Sequence, residues 1–192
     1  LRRHGLTWVI VSSDIQLLRD LHKGDELEVR VTRHPEHCWL VPLSFELFLR
    51  DGQKAITATS FWSLLDTKTR AMVCPSVVLG AMTDQAVDCG RWLSLVVPAL
   101  PHKLGCMATH VVVGQDIDAN GHANNARYLD WASSFIDEGH WESHALERIQ
   151  VVYVQEALEG QAVDMHYELT EENLSVCGRV EGQECFLLRA CF

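Results

Sequence analysis

The chain has 192 residues, of which 47% are hydrophobic, and a formal net charge of -10. This length is enough for one large domain or two small packed ones, and the apolar content excludes a disordered chain. The acidic balance argues against nucleic acid and against an anionic membrane surface as partners. The longest apolar runs are far shorter than the roughly 20 residues that a membrane-spanning helix needs. We therefore expect no membrane segment and no targeting segment.

Seven cysteines are scattered along the chain and include no Cys-x-x-Cys pair. Closely spaced ligand pairs are typical of structural zinc, and an even, regular set is typical of a disulfide framework. The odd, scattered set instead predicts reduced thiols of the kind found in cytosolic proteins. We expect no metal site and no cofactor.

The first half of the chain has the pattern of an antiparallel meander. Residues 27–31 alternate apolar and polar side chains, as a half-buried strand does. A hairpin is predicted over residues 43–65 because Asp51-Gly52 separates two strand-like runs, which is a strong hairpin signal. A second turn is predicted over residues 66–70.

The strand pattern breaks at residues 84–103, where Pro98 and Pro101 do not suit a central strand. We interpret this stretch as a linker with a short helix near Val87 to Leu95. The predicted organisation is a first module at residues 1–83, the linker, and a second module at residues 104–192.

The second half predicts a strand from Met107 to Val113, a polar loop, and a helix from Ala123 to Asp137. Four strands should follow, at residues 146–156, 161–169, 174–181 and 184–191. This order is typical of an α+β domain in which an antiparallel sheet wraps around a helix. The first half has a similar meander but no long helix, so the helix of the first module is expected to lie outside this chain.

The polar loop concentrates Asp and Asn residues around His122. One or two such residues suffice to cap a helix N-terminus, so the excess favours a functional site over capping alone. The N–H groups at a helix N-terminus can stabilise a thioester oxyanion. His122 can exchange protons near neutral pH, Asn120 can donate to a carbonyl or a water, and Asp118 can orient either partner.

The stretch DIDANGHANNARYLDW, residues 116–131, resembles the signature D-x-N-x-H-x-N-N-x-x-Y-x-x-W of the acyl–acyl carrier protein thioesterases. Its positions are filled by Asp118, Asn120, His122, Asn124, Asn125, Tyr128 and Trp131. Residues 58–72, ATSFWSLLDTKTRAM, resemble the family's T-S-x-W-x-x-x-D-x-x-T-R stretch, with Trp62 at its tryptophan. The resemblance implies a double (tandem) hot-dog fold, with an antiparallel sheet wrapped around a long helix in each module.

The family also has a catalytic carboxylate in a Y-x-x-E-C stretch after the helix, and here Glu156 takes that place. Strand alternation would put Glu156 on one face with Val152 and Val154, where the carboxylate would be partly desolvated. The family's cysteine is Ala157 in this chain. We therefore expect no acyl-enzyme on cysteine.

The resemblance implies an acyl-[acyl carrier protein] thioesterase that hydrolyses fatty acyl thioesters by direct attack of water. It implies four catalytic residues: Asp118, Asn120, His122 and Glu156. It implies five substrate-binding residues: Asn124, Asn125, Tyr128, Trp131 and Trp62. Two alternatives stay open, a hot-dog acyl-CoA hydratase or dehydratase and a non-catalytic module that binds acyl thioesters.

The expected partner is an acyl carrier protein with a fatty acyl chain, or acyl-CoA. A homodimer is left open. The expected location is the cytoplasm of a bacterium, or the plastid stroma in a plant.

Overall fold

The computed structural model describes residues 5–80 and 95–192. The chain divides into two compact units, Leu1–Leu95 and Val96–Phe192. In the described part of the chain, no helix is both long enough and apolar enough to span a membrane. The predicted linker helix near Val87 to Leu95 lies outside the described residues, apart from Leu95.

The first unit contains an antiparallel sheet in the order β2-β3-β4-β1. Its strands are β1 (Leu6–Leu17), β2 (Leu27–Arg33), β3 (Leu40–Leu49), β4 (Lys54–Asp66) and β5 (Met72–Val73), the last paired with the end of β4. Among the described residues of this unit, the only helix is α1 (Ser76–Leu79).

The predicted hairpin is confirmed, since β3 and β4 pair antiparallel around the turn at Asp51-Gly52. Gly52 has a φ of 82°, a left-handed value that glycine adopts without steric cost. The Asp51 carboxylate accepts a hydrogen bond of 2.9 Å from the N–H of Gln53. The turn after β4 is also confirmed, and there the Asp66 carboxylate accepts from the N–H groups of Lys68 and Thr69.

The second unit contains an antiparallel sheet in the order β7-β10-β9-β8-β6. Its strands are β6 (Cys106–Val111), β7 (Arg148–Tyr153), β8 (Ala162–Leu169), β9 (Asn173–Val180) and β10 (Gln183–Cys191). Its α-helices are α2 (Asn125–Ser133) and α3 (Glu138–Ser143), and a short 3-10 helix spans Gly114–Asp116. Tyr128, Trp131 and Ala132 of α2 join side chains from the sheet in one hydrophobic core. The predicted packing of an antiparallel sheet on a helix is thereby confirmed for this unit.

The prediction of one continuous helix from Ala123 to Asp137 was wrong. The helix α2 ends at Ser133, where the hydroxyls of Ser133 and Ser134 donate back to the carbonyls of Asp130 and Trp131. Such bonds compete with continuation of a helix. Asp137 then caps a separate helix, since its carboxylate accepts the N–H of His140 at 2.9 Å. Apolar spacing alone did not reveal this break.

The core of the second unit depends on a glycine opposite an aromatic ring. An added Cβ at Gly178 would lie 2.0 Å from Cε1 of Phe186, which is fully buried. Phe186 in turn packs edge-on against Tyr128, with ring centroids 5.0 Å apart. Gly178→Ala should therefore lower the free energy of unfolding by about 1–3 kcal/mol, the usual cost of overpacking a core.

Urea unfolding followed by tryptophan fluorescence would measure this effect. Gly105→Ala is the matched control, because an added Cβ there meets no atom within 4 Å. The control should change the free energy of unfolding by less than about 0.5 kcal/mol, as surface substitutions usually do. Equal unfolding midpoints for the two variants would contradict the packing described at Phe186.

Candidate active site

The polar loop between β6 and α2 forms a narrow turn closed by its own backbone. Ile117 and Ala123 form an isolated antiparallel bridge at its neck. Beyond the neck, the N–H of Asp118 donates to the carbonyl of His122 at 3.0 Å, and the N–H of Gly121 donates to the carbonyl of Asp118 at 3.1 Å. Gly121 has a φ of 88°, which favours glycine at the tip. The loop therefore holds residues 118–122 in a defined shape.

His122 lies between two carboxylates. Its Nδ1 is 3.9 Å from Oδ1 of Asp118, and its Nε2 is 3.7 Å from Oε2 of Glu156. The His122 side chain is 17% exposed and that of Glu156 is 31% exposed, so both are partly shielded but reachable from solvent. Residues 34 positions apart in the sequence thus face each other at one site.

Oxygen atoms surround both ring nitrogens of His122. Nδ1 lies 3.4 Å from the carbonyl oxygen of Ala123 as well as near Asp118, and Nε2 faces Glu156. A carbonyl and two carboxylates are all hydrogen-bond acceptors, so this set of neighbours suits an imidazole that gains and loses a proton during a reaction.

Asp118 orients Asn120 directly. Its Oδ1 accepts the backbone N–H of Asn120 at 2.7 Å, and its Oδ2 accepts the side-chain amide of Asn120 at 3.1 Å. Asn120 is exposed at the tip of the loop. The predicted orienting role of Asp118 thus has a structural basis in two hydrogen bonds.

Glu156 does not lie on a strand, as its predicted alternation with Val152 and Val154 required. The strand β7 ends at Tyr153, and Glu156 belongs to the loop that follows. This loop is anchored at the next residue, because the carbonyl of Ala157 accepts the N–H of Ala123 at 2.8 Å. The residues adjacent to His122 and Glu156 are therefore hydrogen-bonded to each other.

Comparison with known families identifies the chain. Residues 1–77 match the model described as "Acyl-ACP thioesterase N-terminal domain", and residues 106–184 match the model described as "Acyl-ACP thioesterase C-terminal domain". The chain belongs to the acyl-ACP thioesterase family. The second match includes every loop residue described above together with Glu156.

Curated and solved relatives agree with this family. A "dodecanoyl-[acyl-carrier-protein] hydrolase, chloroplastic" from Cinnamomum camphora is 24% identical over an alignment of 169 residues, and this alignment covers 80% of this chain and 42% of the relative. The chain thus spans about two fifths of the length of the curated relatives that it matches.

Two solved structures share the fold. The 12:0-ACP thioesterase from Umbellularia californica aligns with a TM-score of 0.82 and 19% identity over 98% of this chain and 76% of that one. An acyl-ACP thioesterase from Bacteroides thetaiotaomicron aligns with a TM-score of 0.78 and 20% identity over 100% of this chain and 79% of that one. These alignments confirm the predicted double hot-dog fold class.

Two motif aromatics of this thioesterase-family chain lie in the core. Tyr128 is 2% exposed and Trp131 is 6% exposed. The Tyr128 hydroxyl accepts the buried N–H of Ala157 at 3.1 Å. Burial raises the pKa of Tyr128 to about 12, despite the hydrogen bond with Ala157, so the phenol stays neutral. Contact of either ring with an acyl chain stays a prediction, whereas Tyr128 visibly supports the Glu156 loop.

Tyr128→Phe should therefore lower the free energy of unfolding by about 1–3 kcal/mol, because it leaves the buried N–H of Ala157 without its partner. Tyr153→Phe is the matched control, since the Tyr153 hydroxyl only donates to the carbonyl of Asn125 at 3.1 Å. Loss of that donor should cost about 0.5–1.5 kcal/mol. Urea unfolding of both variants would show which one loses more free energy of unfolding. A larger loss for Tyr153→Phe than for Tyr128→Phe would contradict the role given to the Tyr128 hydroxyl.

The other predicted substrate-binding residues have defined places in the fold. Asn124 is the N-cap of α2, and its side chain accepts the N–H of Ala126 at 2.9 Å. Asn125 is the first residue of α2, and its carbonyl accepts from Tyr153. Trp62 lies on β4 in the first unit, and its indole N–H donates to the Ser60 hydroxyl at 2.7 Å. Their contacts with substrate stay predictions.

Two residues near the site were missed by the sequence analysis. His110 on β6 hydrogen-bonds through Nε2 to Oδ2 of Asp116 at 2.9 Å. Asp116 is 7% exposed, and it immediately precedes the neck of the loop. Asp116 stands in the polar loop, but no pattern in the sequence marks it as buried or pairs it with His110, six residues upstream.

Five cysteines are free thiols, and two of them, Cys177 and Cys185, lie in the core. Burial raises the pKa of Cys177, and it raises the pKa of Cys185 to about 12. Thiols with such pKa values are poor nucleophiles near neutral pH. Across the described residues, no group of three or more His, Cys, Asp and Glu side chains is arranged to hold a metal ion.

Proposed function

We propose that this protein hydrolyses fatty acyl thioesters and releases free fatty acid from acyl carrier protein. The observation that carries the proposal is the placement of His122 between Asp118 and Glu156, on a loop that also presents Asn120. Membership of the acyl-ACP thioesterase family supports it. Substrate, activity and carrier all belong to the proposal.

We assign activation of the attacking water jointly to His122 and Glu156. Their facing atoms are 3.7 Å apart, which is too long for a direct hydrogen bond. One water can lie about 2.8 Å from both atoms and donate a hydrogen to each. Its lone pairs then point to the thioester carbonyl carbon, and either base can accept the proton as the C–O bond forms.

We assign stabilisation of the carbonyl oxygen to Asn120 and to the N-terminus of α2. Within the first turn, the N–H of Ala126 already donates to the side chain of Asn124, and the N–H of Arg127 donates to the carbonyl of Asn124. The helix contribution is therefore assigned to the N–H of Asn125. Donors that are held in place before reaction stabilise a developing oxyanion effectively.

Water is the nucleophile in this scheme, and no covalent acyl-enzyme forms. Ala157 occupies the position of the family's cysteine, and it offers no thiol. The tetrahedral intermediate breaks its C–S bond, and the thiolate leaves with the proton taken from the water. The products are a free fatty acid and the thiol of the carrier.

The proposal also concerns which carrier holds the acyl group and how long the acyl chain is. The names of the curated relatives make dodecanoyl-ACP the first substrate to assay. The net charge of -10 does not favour acyl carrier protein over coenzyme A, because both are acidic. A homodimer also stays a prediction, which light scattering during size-exclusion chromatography would test.

Release of free thiol, followed with a thiol reagent, tests the proposed function. The 192-residue protein would be mixed with acyl-ACP or acyl-CoA of several chain lengths, and the fatty acid would be quantified by mass spectrometry. We expect equal amounts of thiol and fatty acid and faster turnover of acyl-ACP. No release from either carrier would contradict the proposal and favour a non-catalytic acyl-thioester-binding module.

A further inference from the structure

We propose that Asp116, with His110, is a positioning residue that fixes the base of the loop carrying Asp118, Asn120 and His122. The expected effect on turnover rests on the proposed function. The expected effect on the loop rests on geometry alone. Asp116 and His110 touch neither the proposed water site nor the thioester, so they act through the loop.

The Asp116 carboxylate contacts the strand β6, the segment that follows it and the helix α2. Its Oδ2 accepts from His110 on β6 at 2.9 Å and from the N–H of Val113 at 3.0 Å. The Trp131 side chain on α2 also lowers the pKa of this carboxylate. The guanidinium of Arg127 on α2 lies 3.9 Å from Oδ1.

The backbone of Asp116 closes the base of the loop. Its carbonyl accepts the N–H of Asn124 at 2.8 Å, and its own N–H donates to the carbonyl of Val113 at 2.8 Å. The bridge between Ile117 and Ala123 lies directly above this pair. Asp118, Asn120 and His122 all lie between Asp116 and Asn124 in sequence, so a shift of Asp116 moves them together.

His110 is held in place on its other side by an aromatic contact. Its ring lies against Trp131, with centroids 4.4 Å apart and an interplanar angle of 31°. The strand β6 that carries His110 pairs with β8 in the sheet. The loop is thereby fixed to the sheet through His110 and to the helix through Trp131 and the N–H of Asn124.

The Asp116 carboxylate is ionised in the folded protein. Burial opposes ionisation, but the hydrogen bonds with Val113 and His110 and the favourable interactions with the His110 and Trp131 side chains more than offset it, so the pKa lies below its usual value. A buried anion with several donors resists displacement strongly. Asp116 is therefore suited to hold the loop and not to exchange protons with substrate.

Asp116→Asn tests the inference because it keeps the shape of the side chain and removes its charge. We expect kcat for acyl-ACP hydrolysis to fall by about 10- to 100-fold, the scale of a misplacement near 1 Å, with KM changed less than about 3-fold. In the His122→Ala background, the same change should lower the remaining kcat by less than about 3-fold. Residues that act through one another are non-additive in this way.

Asp164→Asn is the matched control, since Asp164 on β8 accepts a hydrogen bond from Thr109 on β6 at 2.7 Å. This control makes the same substitution on a strand next to β6 but outside the loop, and it should leave kcat within about 2-fold. If Asp116→Asn does not fold, His110→Phe keeps a ring against Trp131 and removes only the bond to Asp116. We expect it to lower kcat by about 3- to 10-fold.

Hydrogen exchange measured by mass spectrometry provides a readout that does not need activity. We expect Asp116→Asn to speed exchange at least about 10-fold in a peptide covering residues 114–126, with no change in residues 173–180. Three results would each overturn the inference. They are unchanged exchange in the loop of Asp116→Asn, a kcat of this variant within 2-fold of wild type, and a fall in kcat that is as large in the His122→Ala background as in the wild-type background. Inactive wild type would refute the proposed function alone, and the exchange result would still decide this inference.

Discussion

Replacement of His122 by Ala is expected to lower kcat for fatty acyl-ACP hydrolysis by at least about 100-fold, the usual scale for a lost general base. Nε2 of His122 faces Oε2 of Glu156 at 3.7 Å, and alanine offers no group that could accept a proton there. KM should change little, because the imidazole acts on the water and not on the acyl chain. Steady-state release of thiol from acyl-ACP measures both constants.

The control for this variant is His166→Ala. His166 is a partly buried histidine on β8 of the same unit, and it pairs across the sheet with Cys177. Its removal should leave kcat within about 2-fold of wild type. A His122→Ala enzyme with near-normal turnover would show that the imidazole does not take part in the chemistry.

Replacement of Glu156 by Gln is expected to have a similar effect, at least about 100-fold on kcat. Glutamine keeps the size of the side chain and can still contact the water, but it cannot take a proton from it. Glu156→Ala should lose at least as much. If both variants retained normal kcat, the carboxylate would have no part in activating the water.

Glu159→Gln is the matched control, since Glu159 lies three residues further along the same loop and is exposed. It should leave kcat within about 2-fold of wild type. The double variant His122→Ala with Glu156→Gln should lose far less than the product of the two single losses, because both groups share one water in the proposed mechanism. Multiplicative losses would indicate that the two residues act in separate steps.

The strands that sequence predicted best are those with clean alternation or a marked turn. Asp51-Gly52 identified the β3–β4 hairpin, because few dipeptides adopt its backbone shape so readily. Alternation at residues 162–169 identified β8 to within a residue. In both cases the signal lies within a few neighbouring positions.

The elements that sequence missed depend on contacts with distant residues. β1 was not predicted. Most of its residues are partly buried on both faces of the strand, and its sequence therefore lacks the alternation of apolar and polar residues that marks a strand. The break after Ser133 depends on two serine hydroxyls that turn back to the helix. Apolar residues continue across that break, and their spacing therefore suggested one helix.

The candidate active-site loop was predictable from the sequence, but the contacts that hold it in place were not. The motif from Asp118 to Trp131 is dense enough in the sequence to mark a site. The bonds that hold it in place join Asp116 to His110, and Tyr128 to Ala157. The predicted contact of Tyr128 with substrate stays a prediction, while its hydroxyl accepts the N–H of Ala157, 29 residues further along the chain.

Intact-mass spectrometry of the wild-type protein during turnover of dodecanoyl-ACP tests the central claim most directly, because it follows carrier and enzyme together. We predict that the carrier loses the mass of the acyl group while the mass of the protein stays constant at every time point. A carrier that keeps its acyl group, or a protein that gains the acyl mass, would contradict direct hydrolysis by water at His122 and Glu156.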